Sequence, residues 1–172
     1  METNHVPAID WSKIQPGCCC PEFDPVAWDN LDLHFRDKQF VRTTTHSAFY
    51  VPLDMAAKFA RTFEAIKKAQ ADEKEFVVMS DDSSMWHGEH YFNVSREVPG
   101  ADNVVLSGDY LTHVFEGPYR DAPKWVGEMR RLVEACGKRM GRLFFYYTTC
   151  PKCAKRTGKN YVVGIAELAA MN

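Results

Sequence analysis

The chain has 172 residues, of which 45% are hydrophobic, and its formal net charge is −2. A chain of this size buries enough apolar surface to fold as one domain without a disulfide or a metal ion. Because there is no basic excess, a nucleic acid is not expected as a direct partner. The sequence has no apolar run long enough for a membrane span and no signal-peptide pattern, so we expect a cytoplasmic protein.

Residues 1–37 form an irregular arm that is rich in proline and cysteine. Proline at this density forbids a long helix or a central strand. Three large aromatic residues argue against free disorder, namely Trp11, Phe23 and Trp28. We therefore predict an ordered arm that lies over the rest of the domain and fills apolar gaps with its rings.

The rest of the chain contains one pattern twice, in residues 38–100 and 101–172. Each copy has an extended apolar segment, a turn marked by proline, an amphipathic helix and two strands joined by a polar loop. We predict an α+β fold in which two strand-helix-strand-strand repeats form one antiparallel sheet with both helices on one face. Arm and repeats together make a single domain, residues 1–172.

The opposite face of the predicted sheet is expected to be concave and lined by both repeats, which suits a flat or apolar ligand. Tyr146 and Tyr147 are adjacent on a predicted strand, so one of them faces this side. Trp125 begins the apolar stripe of the second helix, and a core position is its alternative role. The predicted ligand-binding residues are Trp86, Tyr119, Trp125, Tyr146 and Glu167.

Glu116 is the predicted catalytic acid or base, with Tyr147 as its partner. If Phe115 packs under the helices, Glu116 points to the open face, because neighbouring strand residues alternate. Partial burial among aromatic rings would raise the pKa of this carboxyl group and suit it to proton transfer. The alternative is an edge-strand carboxylate in water.

The cysteines allow two interpretations. Cys150 and Cys153 form a CxxC pair, and with Cys19 and Cys20 they could hold a structural zinc ion that pins the arm. A single CxxC pair is not specific for zinc, so free thiols, with no metal and no cofactor, are expected. The residues after Cys153 suggest a hairpin loop, whereas a thioredoxin-type motif opens a helix.

The segment Tyr110–Tyr119, which ends in Gly-Pro-Tyr, together with the duplication resembles the GyrI-like small-molecule-binding domains over about residues 38–168. The cysteine-rich arm and the segment Tyr147–Lys155 resemble a subgroup described as hydrolases. This resemblance implies binding of effectors or xenobiotics, and some members are similar to hydrolases of cyclopropane-bearing toxins. Members that bind cationic drugs place a glutamate near the strand after the second helix. Because Leu143–Tyr147 has no acid, only Glu116 and Glu167 are left for that role.

Three functions follow as hypotheses. The first is binding of an apolar or amphipathic small molecule in an aromatic pocket between the repeats. The second is hydrolysis of a strained electrophile, such as a cyclopropane, by a water molecule that a glutamate activates without a cofactor. The third is a non-catalytic protein-interaction module, which an exposed apolar patch would favour. The oligomeric state stays open.

Overall fold

The computed structural model describes residues 2–171. The two predicted copies are β1-α2-β3-β4 and β5-α3-β6-β7, which confirms the α+β fold with two strand-helix-strand-strand repeats. In chain order the elements are α1 (Pro25–Trp28), β1 (Asp32–Ala48), β2 (Val51–Pro52), α2 (Met55–Lys68), β3 (Val78–Asp81), β4 (His87–Asn93), β5 (Asp102–Glu116), a 3-10 turn (Tyr119–Asp121), α3 (Ala122–Ala135), β6 (Arg139–Tyr147), α4 (Pro151–Thr157) and β7 (Tyr161–Ala169).

The antiparallel sheet closes on itself. Its strand order is β1-β4-β3-β6-β7-β5, and β5 pairs again with β1, while the short β2 extends the free end of β1. The closing ladder runs from the pair Asp32 and Leu111 to the pair Arg42 and Asp102. The sequence predicted an open concave face, but this ladder joins the first strands of both repeats and turns the sheet into a six-stranded barrel.

Both helices lie on the outside of the barrel, as predicted. α2 buries Ile66 against the first repeat, and α3 buries Trp125, Met129 and Val133 against the second. The spacing of these residues places them on one side of each helix. None of the helices within residues 2–171 is long and apolar enough to cross a membrane.

The inside of the barrel is a packed core. Large side chains from both repeats are almost completely buried there, including Phe35, Phe40, Met79, Phe144 and Ile165. The predicted ligand pocket on this face is therefore wrong in its location, since closure of the sheet brings opposite side chains into contact.

The arm covers the end of the barrel at which β6 stops. Trp28 is 3% exposed, and its ring centre lies 5.3 Å from that of Tyr146. Phe23 packs 5.6 Å from the ring of Tyr161. The prediction of an ordered, space-filling arm is confirmed for these two rings, whereas Trp11 remains 55% exposed.

Candidate functional site

The two repeats meet where β3 and β6 lie side by side. Ser80 pairs with Phe145 on β6 and with His90 on β4. Because residues two apart on a strand share a face, Asp82 and Tyr147 lie on the same outer side as Ser80. This is the side that carries the helices, so polar groups from both repeats meet there.

A hydrogen bond joins the repeats at this point. The Tyr147 hydroxyl donates to Oδ2 of Asp82 at 2.6 Å. Burial, together with the charge and hydrogen bond of Asp82, raises the pKa of Tyr147 far above its ordinary value. The phenol therefore keeps its proton at neutral pH and acts as a hydrogen-bond donor.

His90 lies beside this pair and is fully buried. Its Nδ1 lies 2.7 Å from Oγ of Ser80, and its Nε2 lies 2.9 Å from Oγ1 of Thr45. The ring packs edge-on against Phe59 of α2 at 4.9 Å. Burial lowers the pKa of His90, although the charges of two aspartates oppose this, so the imidazole is neutral at neutral pH.

Gly88 allows these groups to approach one another. A Cβ atom at this position would lie 2.9 Å from Oδ1 of Asp82, 3.0 Å from Nε2 of His90 and 3.2 Å from Oγ1 of Thr45. These polar atoms therefore converge around one point where only glycine leaves room. We call Thr45, Ser80, Asp82, His90 and Tyr147 the inter-repeat cluster.

Aromatic rings border the cluster on the side of the second repeat. Tyr119 packs edge-on against Tyr147 at 5.5 Å and donates its hydroxyl hydrogen bond to the Thr149 carbonyl at 2.8 Å. Phe145 lies 6.2 Å from the Tyr147 ring. Of the predicted site residues, only Tyr119 and Tyr147 are in such ring contact with each other.

Glu116 does not join Tyr147. Phe115 and Tyr147 both pair with Val162, so they lie on the same side of the sheet. Phe115 stacks on Trp125 under α3 at 5.3 Å, and the exposed Glu116 therefore points away from Tyr147. The catalytic role of Glu116 stays a prediction that this geometry does not support.

Two predicted ligand-binding residues belong to the core. Trp125 is buried between α3 and the sheet, which agrees with its alternative role as a core residue. Tyr146 is buried inside the barrel against Trp28. Neither side chain is available to an outside ligand in this conformation.

Trp86, in contrast to these two buried residues, is 56% exposed. Its ring packs 5.3 Å from Phe49 at the tip of the β1–β2 hairpin. This tip and the neighbouring loop between β3 and β4 form an exposed apolar patch of Phe49, Tyr50, Val51, Leu53, Met85 and Trp86. The patch is the feature expected of an interaction module, but nothing in the structure shows what covers it.

Glu167 belongs to a charged network at the end of the barrel away from the arm. Its Oε2 accepts from the backbone N–H of Arg142 at 3.0 Å. The Arg142 guanidinium contacts Asp81 at 3.2 Å, Glu89 at 3.6 Å and the Tyr91 hydroxyl at 2.9 Å. Arg142 is thus ion-paired with both Asp81 and Glu89, whereas Glu167 accepts only from its backbone.

Four cysteines form a second group of side chains that could bind a metal ion. The Sγ atoms of Cys19, Cys20, Cys150 and Cys153, here called the cysteine cluster, lie within 4.8 Å of one another. The predicted hairpin loop after Cys153 is wrong, because Cys150 caps α4. A hydrogen bond from the Cys19 amide lowers the pKa of Cys153 to about 6, and burial raises that of Cys20 to about 12.

Two open surface grooves lie away from both clusters. One, of about 320 Å³, runs between β1 and α2 beside Thr43, Lys58 and Arg61. The other, of about 460 Å³, lies where the arm meets Lys38 and Glu73. Neither groove is lined by a residue of the inter-repeat cluster.

Sequence reasoning missed Asp82, His90 and Ser80 as site residues. It assigned the polar run from Ser80 to Glu89 to a loop, whereas β3 continues to Asp81 and β4 begins at His87. Alternation along these strands would have placed Ser80 and Asp82 on one face of the sheet. Gly88 and His90 would then be their neighbours on the adjacent strand, on that same face. The signal was present, but the high polarity of the run obscured it.

The chain matches one family model and several solved structures. The family model described as bacterial hydrolase matches residues 10–168. Two crystal structures from Listeria innocua, one of a hydrolase and one of an uncharacterized conserved protein, each align with a TM-score of 0.56 and 10% identity. Each alignment covers 82% of this chain and 92% of the other, and at this identity it shows a shared fold. No curated protein matches the sequence.

Proposed function

Because this chain belongs to the bacterial hydrolase family, we propose that it hydrolyses a small amphipathic electrophile at the inter-repeat cluster. The hydrogen bond between Asp82 and Tyr147 carries the proposal, since it joins a base and a proton donor at the boundary of the repeats. The resemblance to GyrI-like domains supports a ligand between the repeats, although on the helix side of the sheet.

Asp82 is the proposed general base. Its Oδ2 accepts from Tyr147, which leaves Oδ1 free to accept a proton from a water molecule. The neighbouring His90 is neutral, so it does not form an ion pair with this carboxylate. His90, held by Ser80 and Thr45, acts as a positioning residue that fixes the surroundings of Oδ1.

Tyr147 is the proposed proton donor. As Asp82 removes a proton from water, the water oxygen bonds to the electrophilic carbon and the strained bond breaks. The electron pair of that bond moves to the conjugated part of the substrate, which takes a proton from Tyr147. The proton on Oδ1 of Asp82 then reaches the Tyr147 phenolate through a water molecule, because the direct hydrogen bond between the two residues uses Oδ2. One water is added, and both residues regain their starting state.

The surroundings indicate the substrate class. The rings of Tyr119, Phe145 and Tyr147 offer apolar contacts next to a single carboxylate. Such a surface suits a small molecule with a flat apolar part and an electrophilic carbon. The resemblance to hydrolases of cyclopropane-bearing toxins makes a cyclopropane conjugated to a carbonyl the first compound to test.

Binding without turnover is the second candidate function. The Asp82 carboxylate beside the Tyr119 and Tyr147 rings is a combination that attracts organic cations. In this case a cationic amphipathic dye would bind, and Asp82→Asn would weaken its binding, while no substrate would be converted.

The test uses purified full-length protein and a carbonyl-conjugated cyclopropane whose absorbance changes on ring opening. We expect catalysed loss of substrate and a product heavier by one water in mass spectrometry. Asp82→Asn should lower kcat/KM by about 10²-fold or more, because it removes the base without changing the shape of the side chain.

Glu116→Gln is the matched control, since Glu116 is exposed and points away from Tyr147. It should leave kcat/KM unchanged. Loss of turnover in Glu116→Gln with normal turnover in Asp82→Asn would reverse the assignment. Dye binding without any product would favour the second candidate.

A further inference from the structure

The cysteine cluster joins two distant parts of the chain. Cys19 and Cys20 belong to the arm, whereas Cys150 and Cys153 lie at the start of α4, just after β6. All four are free thiols. The cysteine cluster shares no residue with the inter-repeat cluster, and the proposed hydrolysis makes no use of it.

The distances between the sulfurs match a tetrahedral metal site. Sγ of Cys19 lies 3.6 Å from that of Cys150, 3.7 Å from that of Cys153 and 4.0 Å from that of Cys20. Thiolates bind zinc tetrahedrally at about 2.3 Å, which places neighbouring sulfurs about 3.8 Å apart. A disulfide requires about 2.05 Å between two sulfurs, so the observed spacing suits four ligands around a shared centre.

Backbone amides point at the sulfurs from both segments. The Cys19 N–H donates to Sγ of Cys153 at 3.3 Å, and the Cys150 N–H donates to Sγ of Cys20 at 3.3 Å. Within α4 the Cys153 N–H donates to Sγ of Cys150 at 3.5 Å. Such donors stabilise thiolates and fix their orientation, as second-layer hydrogen bonds do in metal sites.

Basic residues stand near the cluster. An ion held by four thiolates has a net negative charge, which nearby cations stabilise. The last turn of α4 contains Lys155 and Arg156, and the Arg156 guanidinium packs directly against Gly17 of the arm. Gly17 has a positive φ of 77°, and this turn precedes the segment that holds Cys19 and Cys20.

We propose that the cysteine cluster binds one zinc ion and that this ion fastens the arm over the barrel end. Each thiol gives up its proton to solvent as its sulfur binds the ion, so the chemistry needs no oxidant or reductant. The arm holds Trp28, which fills the barrel end against Tyr146. Zinc binding therefore stabilises the folded state through the arm.

The first test is elemental analysis of the full chain, purified under reducing conditions without a metal-affinity tag. We expect about one zinc per chain. The double variant Cys150→Ser with Cys153→Ser should lose the zinc. The control is Cys136→Ser, because Cys136 is an exposed cysteine at the end of α3 outside the cluster, and it should retain the zinc.

A second measurement avoids dependence on variants that fail to fold. The wild-type chain is stripped with a chelator and titrated with Co²⁺, which should give the intense absorption of a tetrahedral thiolate site at one ion per chain. A weak octahedral spectrum, stoichiometric iron in the purified protein, or a mass lower by two hydrogens per disulfide would each overturn the proposal.

The effect of zinc on the attachment of the arm can be measured by limited digestion with trypsin. Lys13 lies in the arm and Lys124 lies on α3, and both side chains are exposed. Removing zinc should accelerate cleavage after Lys13 by roughly tenfold or more while changing cleavage after Lys124 little. Equal rates with and without zinc would show that the ion does not fasten the arm.

Discussion

The Tyr147 hydroxyl donates a 2.6 Å hydrogen bond to the Asp82 carboxylate, and this bond connects the last strand residue before the cysteine pair with the end of β3. One residue belongs to each repeat. The duplication therefore creates both the sheet and the boundary at which an acid and a phenol meet.

Tyr147→Phe should destabilise the protein by about 1–2 kcal/mol, since it leaves a carboxylate in a partly buried position without its donor. Urea unfolding followed by circular dichroism measures the change. Tyr119→Phe is the control, because it removes a hydroxyl that donates to a carbonyl near the surface. An equal loss of unfolding free energy in both variants would mean that the bond to Asp82 stabilises the fold no more than the bond from Tyr119 does.

Gly88→Ala should destabilise the protein by about 1–3 kcal/mol, since the new methyl group would lie 2.9 Å from Asp82 and 3.0 Å from His90. Gly127→Ala is the matched control within α3, where a Cβ meets nothing within 4 Å. Removing glycine from a helix interior should stabilise by up to about 1 kcal/mol. Thermal unfolding of both variants should give shifts of opposite sign.

Stability should fall as the pH drops below about 6.5, in part because of His90. Burial lowers the pKa of His90 in the folded state, so the unfolded chain binds a proton first. The slope from this one residue is at most about 1.4 kcal/mol per pH unit. The exposed His5, whose pKa Glu75 raises, acts in the opposite direction and loses its effect as the pH rises.

The measurement that isolates His90 is its ring NMR spectrum. The ring should titrate at a lower pH than a free imidazole, because burial lowers the pKa of His90. A His90 that titrates with an ordinary midpoint would contradict its assignment as a neutral positioning residue.

Trp28→Ala should destabilise the protein by about 3–5 kcal/mol, because it opens a cavity at the barrel end beside Tyr146. Trp11→Ala should change stability by less than about 0.5 kcal/mol, since Trp11 is largely exposed. Denaturant midpoints of the two variants test whether the arm is part of the core. Similar midpoints would mean that the arm detaches easily.

The sequence predicts the repeats well because their helix and strand periodicities are strong and occur in the same order. It does not predict closure of the barrel, since the pairing of Leu33 with Tyr110 joins strands far apart in the chain. Nothing in local periodicity specifies such a contact. The open pocket was consequently placed where Phe40 and Phe144 in fact pack together.

The candidate site, like the fold, was predicted from the sequence only in part. The strand pattern predicts Tyr147 and names Glu116 as its partner, whereas the structure places Asp82 beside Tyr147. Asp82 lies one residue beyond the end of β3, where its carboxylate accepts the hydrogen bond of Tyr147. The sequence names four cysteines as possible zinc ligands but favours free thiols, and only the fold shows that Cys19 lies 3.6 Å from Cys150.

The central claim is that Asp82 and Tyr147 act as one catalytic unit. A double-mutant cycle on kcat/KM for the carbonyl-conjugated cyclopropane tests it most directly, with Asp82→Asn, Tyr147→Phe and the combined variant. We expect each single variant to lose about 10²-fold or more and the combined variant to be hardly slower than either. Losses that multiply in the combined variant, or turnover unchanged in both single variants, would contradict the account.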